Sequence, residues 1–365
     1  MVWQDKGVGD FVNGQFVSLR VVAGKGEWAA LRKDYAIRGT PTVLFLNSKG
    51  AEIDRICGFD GKKDEYFQVV KDYAKGHNTL VSLLSKHKKQ GENIDLNYTI
   101  GHKYVGRWEE EKSQPYFAKV LELDPEDSKG YKTESTYYVA LAEVTENKNT
   151  QLLEEFIAKT TDEDYLFMAY RSLAFHYVRQ KDKDKVMTIY DDALKRMAKN
   201  PRVFYEYANA IMRLKMESHY GKVEELARKA MALDPEQVIR GYYTLFQYYD
   251  TVKNNDKLFA TYEEAIGKFP DNTGMMNEFA WAVYELKLTD KYDRGIELAR
   301  KAVEIDPKAA HIWDTLGWLY HENGDLDKAI VAMKKAVSLD PDQKAYKQAL
   351  EKFGKKANES KEKLK

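Results

Sequence analysis

The chain has 365 residues, 43% of them hydrophobic and 32% charged, and a net charge of zero. That balance fits folded domains with buried cores and argues against a general affinity for nucleic acid or anionic membranes. A single cysteine excludes an internal disulfide and a thiolate metal cage. No apolar run approaches the roughly 20 residues of a membrane span, and the opening MVWQDKGVGD lacks the basic and apolar character of an export signal.

In chain order, residues 16–22 (FVSLRVV) predict a buried strand. Residues 26–36 predict a helix, with Trp28, Leu31 and Tyr35 three and four apart. Residues 43–46 and 53–59 predict two strands in hairpin relation around a turn at 48–50. The helix KKDEYFQVVKDYA closes this segment at Ala74.

The run Tyr35-Ala36-Ile37-Arg38-Gly39-Thr40-Pro41-Thr42, followed by VLFLNSKG and a later Gly58, resembles the C-terminal two-thirds of a thioredoxin-like domain. The resemblance implies a cis peptide at Pro41, in a Thr40–Pro41 loop that lies beside the redox site in that family. It also implies a central strand and a Cys-x-x-Cys pair upstream of the VW-x-D segment, and the chain contains neither. Cys57 does not replace the pair. It alternates with Ile56 on the second hairpin strand and reads as a small buried apolar residue, whereas a reactive thiol needs an exposed, electropositive setting. Without the central strand, the facing edges at 16–22 and 43–46 would be unpaired, which is costly. Residues 1–76 are therefore expected to be a partial thioredoxin-like domain of a longer protein, with the strand, the cysteines and an export signal upstream. That expectation places the protein in the periplasm or outside the cell. If Met1 is the true start, the expected location is the cytoplasm.

Residues 77–93 predict a connecting helix with Leu80, Leu83 and Leu84 on one face. No two of the 7 histidines are spaced i,i+4, so no metal site is expected.

The rest of the chain is organised around residues 310–343. There Trp313, Leu316, Gly317, Tyr320, Ala329, Met333, Ala336 and Pro341 stand at the spacing of W-x2-L-G-x2-Y…A-x3-F…P, with Met333 in place of Phe. Gly317 and Ala329 let two helices approach closely, the larger residues fill the space around the crossing, and Pro341 stops the second helix. This stretch resembles a tetratricopeptide repeat (TPR). Earlier units follow at 94–126 (Gly101, Tyr104, Phe117, Pro125), 131–165 (degenerate, with Tyr138 and Ala142), 167–200, 201–238, 239–272 and 273–309. Extra residues fall in the turns near 216–220 and 288–292. The predicted fold is mainly α: a TPR α-solenoid of about seven helix–turn–helix repeats over 94–343 behind the partial α/β segment, with a polar capping helix and tail at 344–365.

In TPR proteins the first helix of each repeat lines an inner groove, through its second, fifth, sixth, ninth, twelfth and thirteenth positions. Among the residues these select are Arg171, Phe175 and Arg179; Arg202, Tyr205, Asn209 and Arg213; and Arg240, Tyr243 and Gln247. Asn277, Trp281 and Tyr284 follow, then His311, Trp318 and His321. An Arg-rich middle and an aromatic end suit an extended peptide with acidic and apolar side chains. The Lys/Asn carboxylate clamp of chaperone-binding TPRs is not reproduced. No nucleophile triad, phosphate loop or paired-carboxylate motif stands out, and AGKGE at 23–27 reads as a turn. No catalytic residue and no cofactor is expected. The expected function is a non-catalytic scaffold with a protein or peptide partner. The alternative is a cell-envelope thiol–disulfide oxidoreductase or thioredoxin-like chaperone whose cysteines lie upstream.

Overall fold

The computed structural model describes residues 5–362, with side chains described as far as residue 357. These residues form nineteen α-helices and one two-stranded sheet. They divide into two compact units, one ending at Met197 and the other beginning at Ala198.

The first unit opens with α1 (Lys6–Gln15), whose first turn is capped by the Asp5 carboxylate accepting from the N–H groups of Gly7 and Val8. After α2 (Trp28–Asp34), β1 (Thr42–Leu46) and β2 (Glu52–Cys57) pair antiparallel, Val43 opposite Ile56. Asn47 tightens their turn, its Oδ1 accepting from the N–H groups of Lys49 and Ala51. Helix α3 (Lys63–Ala74) then lays Tyr66, Val70 and Tyr73 against Phe45 and Val8, the core of this segment.

The strand expected at 16–22 does not form. Phe16 turns inward, its ring 5.5 Å from that of Phe45, but Val17 and Leu19 are 102% and 84% exposed. A strand needs a neighbour for its N–H and C=O groups, and among the described residues β1 pairs with β2 alone. The Thr40–Pro41 peptide bond is cis. Among the described residues the sheet stops at two strands, so the thioredoxin-like expectation is not supported beyond a hairpin and its flanking helices. Val2 and Trp3 of the VW-x-D segment lie outside the described residues.

A buried ionic network ties this hairpin to the helices that follow. Asp54, fully buried on β2, accepts from the Leu80 N–H (2.8 Å) at the start of α4 (Leu80–His87). It also accepts from Lys103 Nζ (2.7 Å) and Arg107 Nη1 (2.9 Å), at the end of α5 (Ile94–Gly106) and just beyond it. Arg107 further binds Glu52 (2.7 Å) and Glu109 (2.9 Å). Burial pulls the Glu109 carboxyl up, but its bonds to Arg107 and Lys112 outweigh this and hold it below the ordinary range. Leu80 and Leu83 pack on Ile100 of α5, as the apolar face of 77–93 predicts.

From α5 onward, fourteen helices pair as seven hairpins. In the first unit α5 pairs with α6 (Glu110–Leu123), α7 (Lys132–Glu146) with α8 (Gln151–Lys159), and α9 (Glu163–Gln180) with α10 (Lys183–Arg196). In the second, α11 (Pro201–Arg213) pairs with α12 (Gly221–Leu233), and α13 (Val238–Thr251) with α14 (Asn255–Lys268). Then α15 (Thr273–Glu285) pairs with α16 (Tyr292–Ile305), and α17 (Ala310–Glu322) with α18 (Leu326–Leu339). The last helix, α19 (Lys344–Glu362), packs on α18. The extra residues near 216–220 and 288–292 form short 3-10 turns, Glu217–His219 and Thr289–Lys291.

Small residues allow the close crossings of the first and last hairpins. A Cβ on Gly317 would lie 3.3 Å from Met333 Cε and 3.4 Å from the Ala329 carbonyl; one on Gly101 would lie 2.8 Å from the Phe117 ring. The turns also share one geometry. Trp108, Lys148, Lys181, Lys215, Lys253, Lys287 and Gly324, one per hairpin, all have left-handed backbone. In all seven, the next N–H reaches back to the first helix, as Asp182 to the Tyr177 carbonyl, Asn254 to Tyr249 and Asp325 to Tyr320.

Candidate interaction surface

The first helices of the hairpins carry every residue that the sequence assigns to an inner face. In the first unit these are Arg171, Phe175 and Arg179 on α9. All three are exposed, and the Arg179 guanidinium lies 5.9 Å from the Phe175 ring centre. In the second unit Arg213, Arg240, Tyr243, Gln247 and His311 are exposed, while Arg202, Asn209, Asn277, Trp281, Tyr284 and Trp318 are half-buried.

Two expected surface residues are not on the surface. Tyr205 is 2% exposed: α11 packs on α13, the Arg240 guanidinium covers the ring at 4.8 Å, and the hydroxyl donates to the Gln237 carbonyl. His321 is 3% exposed because Phe353 of α19 stacks on its imidazole at 4.5 Å. Its Nδ1 meets Glu322 at 2.9 Å, and burial holds its pKa below the usual value. Position within a repeat cannot reveal either burial, because both covering groups come from a following element.

The charges also differ from an Arg-rich surface. Arg240 is paired with Glu206 at 3.0 Å. The position rule that selects the arginines also selects Glu206, Asp250, Glu278, Glu285, Asp314 and Glu322, which a search for arginines passes over. Among the described residues, no ion pair is made by Glu278, Glu285 or Asp314. Burial, reinforced by Glu285, raises the Glu278 pKa. Burial also pushes the Asp314 carboxyl up to about 6, opposed only by a hydrogen bond with the Trp318 side chain.

Aromatic rings run along the same end of the second unit. Trp281 and Tyr284 on α15 lie 5.1 Å apart between ring centres, and Tyr284 lies 5.3 Å from Trp318 on α17. Trp318 meets Phe353 edge-on at 4.9 Å, and Lys352 Nζ sits 4.8 Å from the Trp318 ring. One turn before Trp281, the Asn277 Oδ1 is buried without a hydrogen-bond partner. This arrangement offers flat apolar surface bordered by unneutralised acceptors.

Burial raises the Cys57 thiol above its ordinary pKa, and its Sγ lies 3.7 Å from the Arg107 carbonyl. Among the described residues, no cluster of metal-binding side chains occurs and no helix is long and apolar enough to cross a membrane.

Residues 310–343 match the tetratricopeptide repeat family, so the chain carries a TPR at α17–α18. Over 79 residues, 21% of the chain, it is 34% identical to the human mitochondrial import receptor subunit TOM70, and 33% identical to the rat protein. The chain spans only 12% of those receptors' own length. Among solved structures it is similar to a tetratricopeptide repeat protein from Parabacteroides merdae, with 13% identity over 71% of this chain and 98% of that one, at a TM-score of 0.41. It is also similar to yeast Tom70, with 17% identity over 83% and 55% of the two chains and a TM-score of 0.39. YrrB, a TPR protein with an unusual peptide-binding site, is 16% identical over 57% of this chain and 95% of its own, at a TM-score of 0.37.

Proposed function

We propose that the protein is a non-catalytic interaction scaffold that holds an extended segment of a protein partner against the first helices of its hairpins. One observation carries this reading. The exposed ring of Tyr243 and the half-buried Trp281, Tyr284 and Trp318 occupy successive first helices of the second unit, where rigid side chains give contact area at little entropic cost. The TPR at 310–343 supports the same reading, and the relationship to an import receptor is consistent with a receptor-like role for a protein partner. A stretch of TOM70 this short does not bring that receptor's partners with it. A redox role has no supporting observation, since Cys57 is the only thiol and burial disfavours its thiolate.

A displayed random-peptide library tests the proposal. Peptides selected on the purified chain should lose at least tenfold in affinity on Trp281→Ala, Tyr243→Ala or Gln247→Ala. Peptides indifferent to all three would place the working surface elsewhere.

A further inference from the structure

We propose that the aromatic end of the second unit is a pocket for the basic side chain, lysine or arginine, of the bound segment. The proposal rests on the interaction-surface reading above and deepens it. Three observations support it. First, Trp281, Tyr284 and Trp318 present neighbouring rings whose faces carry negative charge, and the protein itself lays an ammonium, that of Lys352, 4.8 Å from Trp318. Second, among the described residues no cation answers the acceptors beside these rings, and Asp314 takes only a hydrogen bond with the Trp318 side chain. Asn277 Oδ1 is buried and unpartnered, and Asp314 has no cation among the described residues. Third, the two acceptors hold matching positions on neighbouring first helices. Asn277 precedes Trp281 by one helical turn on α15, Asp314 precedes Trp318 by one turn on α17, and the two helices pack together.

An acidic ligand side chain would meet Asp314 with like charge. An apolar one would leave Asn277 Oδ1 unsatisfied and the Asp314 charge without a counterion in a drier setting, which is costly. A cation on a long apolar stem answers both, its methylenes on the rings and its N–H donors on Asn277 and Asp314. Lys352 then acts as an internal competitor, reaching the same ring from α19.

The test uses the full chain and three pentapeptides, acetyl-AAXAA-amide with X lysine, norleucine or glutamate. Binding is followed through the indole N–H signals of Trp281 and Trp318 in an NMR titration. The lysine peptide should bind at least tenfold more tightly than the norleucine peptide, and the glutamate peptide most weakly. Asp314→Asn, close in shape to the original, should remove most of the lysine preference. Lys352→Ala should strengthen lysine binding, an effect that a purely structural role for these residues does not produce. An arginine peptide in parallel shows which cation the pocket prefers. Equal lysine and norleucine binding at these indoles, or a preference unchanged by Asp314→Asn, would overturn the cation pocket and leave the interaction surface standing. No response to any peptide, combined with library peptides indifferent to the surface variants, would overturn both.

Discussion

Replacing Asp54 by alanine should loosen the hairpin from the helices that follow it. The carboxylate accepts the Leu80 N–H at 2.8 Å and meets Lys103 at 2.7 Å and Arg107 at 2.9 Å, all at a fully buried position. Arg107 would keep Glu52 and Glu109, whereas Lys103 would keep only the Tyr73 hydroxyl. The loss therefore leaves an uncompensated ammonium and an unpaired N–H behind. Removing one partner of a buried ion pair costs about 3–5 kcal/mol, and Asp54→Asn, which retains an acceptor for Leu80, should cost about half as much. Native-state hydrogen exchange reads this locally, without assuming that the two units unfold together. Protection should fall for the amides of β1, β2 and Leu80 and stay unchanged beyond Ala198. Adding Arg107→Met should cost less than the sum of the single losses, since the two side chains share one network. A loss below about 1 kcal/mol at Leu80, or full additivity, would refute the argument that this network couples the hairpin to α5.

Two further perturbations follow from the second unit. Gly317→Leu should lower thermal stability more than Trp318→Ala, because a Cβ there already meets Met333 and the Ala329 carbonyl and overpacking costs about 1–3 kcal/mol; equal losses would contradict the repeat register. Asp314 supplies a pH signature. Its folded pKa of about 6 lies above the ordinary 3.8, so the native state binds the extra proton, and the stability this provides is full below the ordinary value and lost as pH rises through 6. At pH 7 the uncharged variant Asp314→Asn should therefore be more stable, by about 1–2 kcal/mol once partial exposure is discounted. The gain should vanish near pH 4, and urea unfolding followed by tryptophan fluorescence at both pH values would show a pH-independent difference if the argument is wrong.

The hairpin repeats were legible in the sequence because their signals are local. Gly317, Ala329, Met333 and Pro341 are held at fixed offsets by one helical crossing, and an inserted turn shows as a slip in those offsets. The segment at 16–22 misled because an apolar run signals burial but not the neighbour that a strand requires; Phe16 found the core and Val17 and Leu19 did not. The burial of Tyr205 and His321 depends on Arg240 and Phe353, which arrive from later elements. The acids were visible at the same positions as the arginines, but their unneutralised state shows only when partners can be located in space. The Asp54–Arg107 pair, 53 residues apart, left no sequence pattern.

That pair has a consequence for how the protein can change over generations. Arg107 and Lys103 belong to the first repeat by chain order, yet their charges are neutralised by Glu52 and Asp54 of the preceding hairpin. Shuffling repeats within the second unit moves mostly apolar contacts that a neighbour of similar shape can replace. Transplanting the first repeat alone would carry Lys103 away from its carboxylate and Arg107 away from Asp54 and Glu52, and would leave Asp54 buried without a cation. The hairpin and its first repeat must therefore be inherited as one block, and recombination breakpoints should be depleted between residues 52 and 109 relative to the turns between later repeats.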